Sequence, residues 1–210
     1  MRAAVEAADN WGTYVMVHAY TPRAIEQAIR VGVRCIEHGH LVDEPTAQRI
    51  AETGTWWSMQ PFLDDEDSIP LPDPSARQKQ LEVIAGTERA YALAKKCGVK
   101  LAWGTDVLFD ASLAARQGKI LAKMTRWFSP ADVLISATSG NAELLALSGN
   151  RNPYAGKLGV VERGALADLL LVDGNPLTDV SLLARPERAL VMIMKDGVIH
   201  KDTSGELNQR

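Results

Sequence analysis

The feature that most constrains this chain is a grammar repeated through its first half. A short apolar strand ends at a histidine or an aspartate, and an amphipathic helix follows. Thr13 to Val17 is β-branched and aromatic and reads as a strand ending at His18. Thr21-Pro22 then supplies an N-cap and a proline at the first helical position, for a helix carrying Ile25, Ala28 and Ile29 that stops near Gly32. Val33 to Glu37 is a second strand, ending at His38. Asp43 to Thr53 has helical spacing and is closed by Gly54, and Thr55 to Met59 begins a third strand. Pro61 to Pro74 is acidic and proline-rich and is expected to be a long loop, a kind of segment that is commonly functional. Ala76 to Cys97 is a long helix closed by Gly98. Val99 to Trp103 is a fourth strand, running into Gly104-Thr105-Asp106.

Strands alternating with helices specify a parallel sheet of β-α units with right-handed crossovers. The strands are expected at about 13–18, 33–38, 55–60 and 99–104, adjacent in that order. A β/α barrel and an open doubly wound sheet both gather functional side chains at the strand C-termini. Periodicity alone does not separate the two. Ser129-Pro130-Ala131-Asp132 is a strong helix start, for a helix reaching Gly140, and Asn141 is expected to cap a further short helix through Leu147. After Gly149 to Pro153 the pattern changes. Ala167 to Val172 reads as a strand, and two more flank the turn Lys195-Asp196-Gly197. Antiparallel pairing is expected between 166–172 and 190–200, with a polar tail at the end.

Composition narrows the partners. The net charge is -3 and the basic residues are scattered, so neither nucleic acid nor an anionic membrane is expected. No apolar run approaches the roughly 18 residues that span a bilayer, and the N-terminus lacks a signal-peptide core. A cytoplasmic protein is expected, with Cys35 and Cys97 as free thiols.

Imidazole nitrogen and carboxylate oxygen are good zinc donors. His18, His38 and Asp106 are therefore candidate metal ligands. Taken singly, each has a plainer reading: hydrogen-bonded core histidines, and an aspartate capping the next helix. Their shared position at strand ends shifts the balance toward a site. Gly39 is expected to break the strand, leaving His40 a role beside the metal or on substrate, and Glu37 should point away from His38. Of Trp56 and Trp57, one is expected in the core and the other toward a pocket. Trp103 is expected to pack. His200 is assigned no chemistry. The absence of a Gly-x-Ser-x-Gly elbow counts against a serine hydrolase.

The segments VMVHAY (15–20), CIEHGH (35–40), GTD (104–106), SPADVLISATSGNAELLAL (129–147), GKLGVVERGALADLLLVDGNPL (156–177) and VMIMKDGVIH (191–200), in this order and spacing, resemble the amidohydrolase superfamily. The likeness is to its imidazolonepropionase-like and Xaa-Pro or Xaa-Arg dipeptidase-like group. The resemblance implies an α/β fold: the C-terminal half of a TIM-like (β/α)8 barrel followed by part of a small β-sandwich. Residues 1–148 would carry barrel strands five to eight, 149–203 part of the sandwich, and 204–210 a tail. It implies one or two divalent metal ions, zinc foremost, with His18 and His38 as ligands on the fifth and sixth strands. Asp106 would be both ligand and general base. Apart from the resemblance, Tyr20 and His40 are candidates for a place on substrate or behind the metal ligands. The reaction implied is hydrolysis of an amide, cyclic amide or dipeptide-like C–N bond by metal-activated water.

The group's H-x-H pair on the first strand and carboxylated lysine on the fourth have no counterpart here, since the first lysine is Lys79. A complete barrel takes about 250 residues. The chain is therefore expected to be an incomplete C-terminal portion acting as a homo-oligomer or with a complementing N-terminal chain. The alternative is a non-catalytic remnant or structural subunit.

Overall fold

The computed structural model describes residues 1–108 and 110–207. The end of the expected tail, 208–210, lies outside the described residues. The chain divides into two compact units: Met1–Ala111 with Leu144–Asn152, and Ser112–Glu143 with Pro153–Arg210.

The first unit is built on a parallel sheet. Its strands β1 (Met16–Ala19), β2 (Cys35–His38), β3 (Trp56–Met59) and β4 (Leu101–Trp103) lie adjacent in chain order. Order and direction are those the β-α grammar specifies. The central strand β3 is buried at all four positions, as a parallel strand covered on both faces should be. Edge strand β1 is buried only at Ala19. Ahead of the sheet stands α1 (Arg2–Asn10), absent from the sequence expectations. It buries a single residue, Val5.

The connecting helices start where the caps put them. Helix α2 (Pro22–Arg30) begins on its proline and buries Ile25, Ala28 and Ile29. Helix α3 (Glu44–Glu52) is capped by Asp43, whose carboxylate accepts from the Thr46 amide at 3.0 Å. Helix α4 (Pro74–Cys97) is capped by Asp73 and ends on Gly98 in the left-handed conformation. At Gly86 this helix comes so near the β2–α3 loop that a Cβ would lie 2.1 Å from the His40 carbonyl oxygen. A stretch without helix or strand, residues 60–73, is the expected long loop.

Adjacent residues of β2 and β3 alternate between two packed faces. Cys35, Trp56 and Ala102 meet Leu144, with Tyr14 and Leu147 against them. Trp57, Ile36 and Met59 are fully buried. Both tryptophans of the pair are thus core, where one had been expected to approach a pocket.

The helices after β4 run α5 (Ala111–Ala114), α6 (Gln117–Ala122), α7 (Pro130–Ile135) and α8 (Asn141–Ala146). The Ser129 hydroxyl caps α7. The expected break at Gly140 does not occur. A π-helical turn, Ser136–Gly140, joins α7 to α8, and Asn141 is helical, with φ -61° and ψ -35°, rather than a cap. The Ser136 and Thr138 hydroxyls donate to the Val133 and Leu134 carbonyls, satisfying acceptors that a wider turn would strand.

In the second unit β5 (Leu169–Val172), β6 (Leu190–Lys195) and β7 (Val198–Asp202) form an antiparallel sheet. Asp196 and Gly197, with φ of 56° and 77°, make the tight turn expected between β6 and β7. Asp168 accepts from the Lys195 ammonium and the Asp196 amide, tying this turn to β5. The units divide elsewhere than at residue 148, because α6 packs on the 180–184 segment: a Cβ at Gly118 would lie 1.9 Å from the Leu183 carbonyl oxygen. No helix among the described residues is long and apolar enough to cross a membrane.

Candidate functional site

The C-terminal ends of β1 and β2 bring histidines together. His18 Nδ1 and His38 Nε2 lie 2.7 Å apart. They sit on neighbouring strands whose register sets His18 opposite Glu37, one residue before His38. His38 reaches the mouth because its backbone leaves the strand conformation, with φ of 75°, followed by Gly39 at 67°. The glycine is required twice over. Its φ is left-handed, and a Cβ there would lie 2.3 Å from Trp57 Nε1. That indole N–H donates to the His38 carbonyl at 2.8 Å, holding the turn from below.

The other nitrogen of His38 sets the proton arrangement. His38 Nδ1 lies 2.8 Å from Gln60 Oε1, and an amide oxygen can only accept. His38 Nδ1 therefore carries a proton, and in the neutral ring its Nε2 presents a lone pair toward His18 Nδ1. His40 is fully buried, and its Nε2–H donates to the backbone carbonyl of the same Gln60 at 2.9 Å. No hydrogen-bond partner among the described residues meets His40 Nδ1. Burial pushes the His40 imidazole down to about 4, so its ring is neutral at neutral pH.

Two aromatic rings wall the cluster. Tyr20 stacks on His38 with centroids 4.6 Å apart and planes 7° from parallel. Phe62 stacks on His40 at 4.9 Å. The sequence reading had not singled out Phe62 or Gln60. Both lie just past β3, in a strand-end position that carries no titratable group to draw attention.

Asp106 follows β4 in a left-handed conformation, with φ of 56°, and is half-buried. Its carboxylate acts across space on Tyr20, whose phenol is pushed up first by burial and then by the Asp106 charge. The structure thus joins His18 to His38 and sets Asp106 near the ring that covers them. Among the described residues no three His, Cys, Asp or Glu side chains form one metal-holding group. Glu37 turns away from the histidine cluster, as expected, and receives the Cys35 thiol at 3.3 Å.

The donor set agrees in chemistry with a borderline-soft ion such as zinc. It offers two imidazole nitrogens, one of them oriented by an amide acceptor on its far nitrogen, as ligating histidines commonly are. Two nitrogens are fewer than the three protein ligands of a catalytic zinc. These residues fit a metal as one part of its shell.

The fold resembles that of known proteins. A crystal structure of an amidohydrolase superposes with TM-score 0.84 at 36% identity, over 97% of this chain and 48% of that one. A prolidase, solved with N-methylphosphonate-L-proline, superposes with TM-score 0.82 at 33% identity, over 96% of this chain and 48% of that one. The ochratoxinase of Aspergillus niger is 25% identical over 96% of this chain and 41% of its own length. The chain spans about half the length of the relatives it matches. Residues 1–200 match the pattern of the Amidohydrolase family, and this chain belongs to that family.

Proposed function

We propose that this chain is the C-terminal portion of a metal-dependent hydrolase that cleaves amide C–N bonds in small dipeptide-like molecules. The observation that carries the reading is the facing pair His18 and His38, set at adjacent strand ends with His38 Nε2 turned to the mouth by Gln60. The family membership, and a neighbour named as a prolidase at 33% identity, support an amide-type substrate. In this reading the parallel sheet is half of a (β/α)8 barrel, and the antiparallel sheet belongs to the flanking sandwich. The remaining donors come from sequence beyond these 210 residues.

His18 and His38 would hold one divalent ion, zinc foremost, with Asp106 facing a second position. Such an ion supplies Lewis-acid polarisation of the carbonyl and activation of a water. Asp106 accepts the proton of the attacking water and returns it to the leaving nitrogen. Tyr20 keeps its proton at neutral pH, because burial and the Asp106 charge both oppose the phenolate, and so it can donate a hydrogen bond to substrate. His40 stays neutral beneath the site and adds no charge to it.

The test is hydrolysis of Xaa-Pro dipeptides and N-acyl amino acids. The purified chain is assayed alone and with an N-terminal half taken from a related prolidase, with metal analysis of both. The chain alone should be inactive, and the complemented enzyme should need divalent metal. Asp106→Asn should lower its rate about 10²–10⁴-fold, the usual contribution of a general base. Efficient hydrolysis by the chain alone, or an undiminished rate in Asp106→Asn, would refute the assignment.

A further inference from the structure

The geometry points to Gln60 as a positioning residue that selects the Nδ1–H tautomer of His38 and so keeps its Nε2 lone pair aimed at the site. The inference deepens the metal reading and rests on it for its purpose, but the tautomer itself is a property of this chain without any ion.

Three observations carry it. First, Gln60 is buried, 3% exposed, and its Oε1 lies 2.8 Å from His38 Nδ1. His38 is equally buried, so water does not compete for that proton. An amide oxygen can only accept, so the contact fixes which ring nitrogen is protonated.

Second, the Gln60 backbone is itself held in place. Its carbonyl accepts from His40 Nε2 at 2.9 Å. The side-chain amide nitrogen of Gln60 lies toward β4, 3.8 Å from where a Cβ on Gly104 would stand. Gly104 leads into Asp106, so one side chain lies between the β2 end and the β4 end. The His40 backbone is in turn pressed by α4 at Gly86. The Gln60 backbone is thus held beside the histidines by a buried hydrogen bond to a ring whose own backbone is fixed by the close approach of α4.

Third, among the described residues no other hydrogen-bond acceptor meets His38 Nδ1. Its carbonyl is occupied by the Trp57 indole. Its Nε2 faces His18. Tyr20 and Phe62 meet it only through their ring faces. Losing the Gln60 acceptor would leave a buried N–H without a partner, which costs more than the bond itself contributes. The ring would then flip or change tautomer, and Nε2 would carry the proton.

The experiment measures the imidazole ¹⁵N pattern of His38 by long-range ¹⁵N–¹H correlation, on the metal-free 210-residue chain labelled at histidine. Zinc affinity is measured in parallel by competition with a chelator. The unsubstituted chain should show the Nδ1–H tautomer. Gln60→Leu, which cannot accept, should shift it to Nε2–H or a mixture and lower zinc affinity about 10–100-fold, the range for loss of a group that orients a ligand. Gln60→Glu, which still accepts, should restore the tautomer and keep zinc affinity within a few-fold of the original.

An Nε2–H tautomer in the unsubstituted chain overturns the inference outright, and that measurement needs no variant to fold. A folded Gln60→Leu chain with unchanged tautomer and unchanged zinc affinity overturns it as well. If the chain binds no zinc in any form while the tautomer responds to Gln60 as expected, the metal reading fails and the role of Gln60 in orienting His38 stands.

Discussion

The two units hold their chemistry-bearing groups in opposite ways. In the parallel unit they are inside: Tyr91 and His40 are fully buried, Cys35 bonds to Glu37 within the sheet, and Trp57 donates to the His38 carbonyl. In the antiparallel unit they are outside. Strand β7 exposes Val198, Ile199 and His200, and the Lys195–Asp168 pair is an ion pair at the surface. Surface pairs contribute little to stability and are screened by salt. The contrast follows from sheet type. A parallel sheet flanked by helices buries both faces, so its polar groups need internal partners. A small antiparallel sheet leaves one face open. The difference teaches where substitutions in this chain should be felt.

The sharpest way to break that comparison is core truncation. Trp57→Ala should cost about 3–5 kcal/mol, the range for removing a large aromatic from a packed core. Leu170→Ala, at a position 55% exposed in β5, should stay within about 0.5 kcal/mol. Urea unfolding of both variants checks this, and equal costs would erase the distinction between the units.

A finer probe uses glycines that share a backbone conformation but not a neighbourhood. Gly39 and Gly197 have φ of 67° and 77°, and only Gly39 has Trp57 in the space of a Cβ. Gly197→Ala should cost about 1 kcal/mol for conformation alone. Gly39→Ala should cost about 2–4 kcal/mol, because the indole must move and its bond to the His38 carbonyl is strained or lost. The two midpoint shifts, measured side by side, give the cost of the crowding.

The mildest effect is a pH dependence confined to the parallel unit. Burial first, and then nearby Cys35 and Glu37, push the Tyr14 phenol up from 10.0 to about 12. Burial and Glu37 push the Cys35 thiol up from 9.0. Both acids hold their protons more tightly when folded. Their contribution is therefore fully present below pH 9 and is lost as pH rises toward 12. Unfolding followed from pH 8 to 12 should show declining stability, and Tyr14→Phe should flatten part of the decline. A curve unchanged by that substitution would deny Tyr14 its role.

Most of the parallel unit was legible because its signals are local. Proline after Thr21 and glycines 54 and 98 at helix ends each fix one turn of chain without tertiary help. His18 and His38 were legible as strand ends, and their meeting follows from parallel register. What escaped depends on packing. Helix α1 has one buried residue and no side-chain cap bond, so no cap marks its start. The π turn at 136–140 is a spacing fault that Gly140 disguises as a helix end. Gln60 was invisible because an amide beside a strand end looks like any loop residue until a histidine is found against it. Asp106 was read as a ligand at the same mouth as the histidines, and its clearest influence among the described residues is on Tyr20. Proximity across a sheet is set by loop course, which residue spacing does not encode.

Asp106 has a further consequence. A left-handed, non-glycine residue carries a conformational penalty of about 1–2 kcal/mol, and at φ 56° Asp106 bears it while half-exposed. A laboratory library of this chain sorted only for thermal resistance should therefore enrich glycine or asparagine at 106. The same library sorted for turnover in a complemented enzyme should discard both. The position would mark a point where selection for durability and selection for chemistry pull the sequence apart, and sorting one library twice would reveal it without any assay of mechanism.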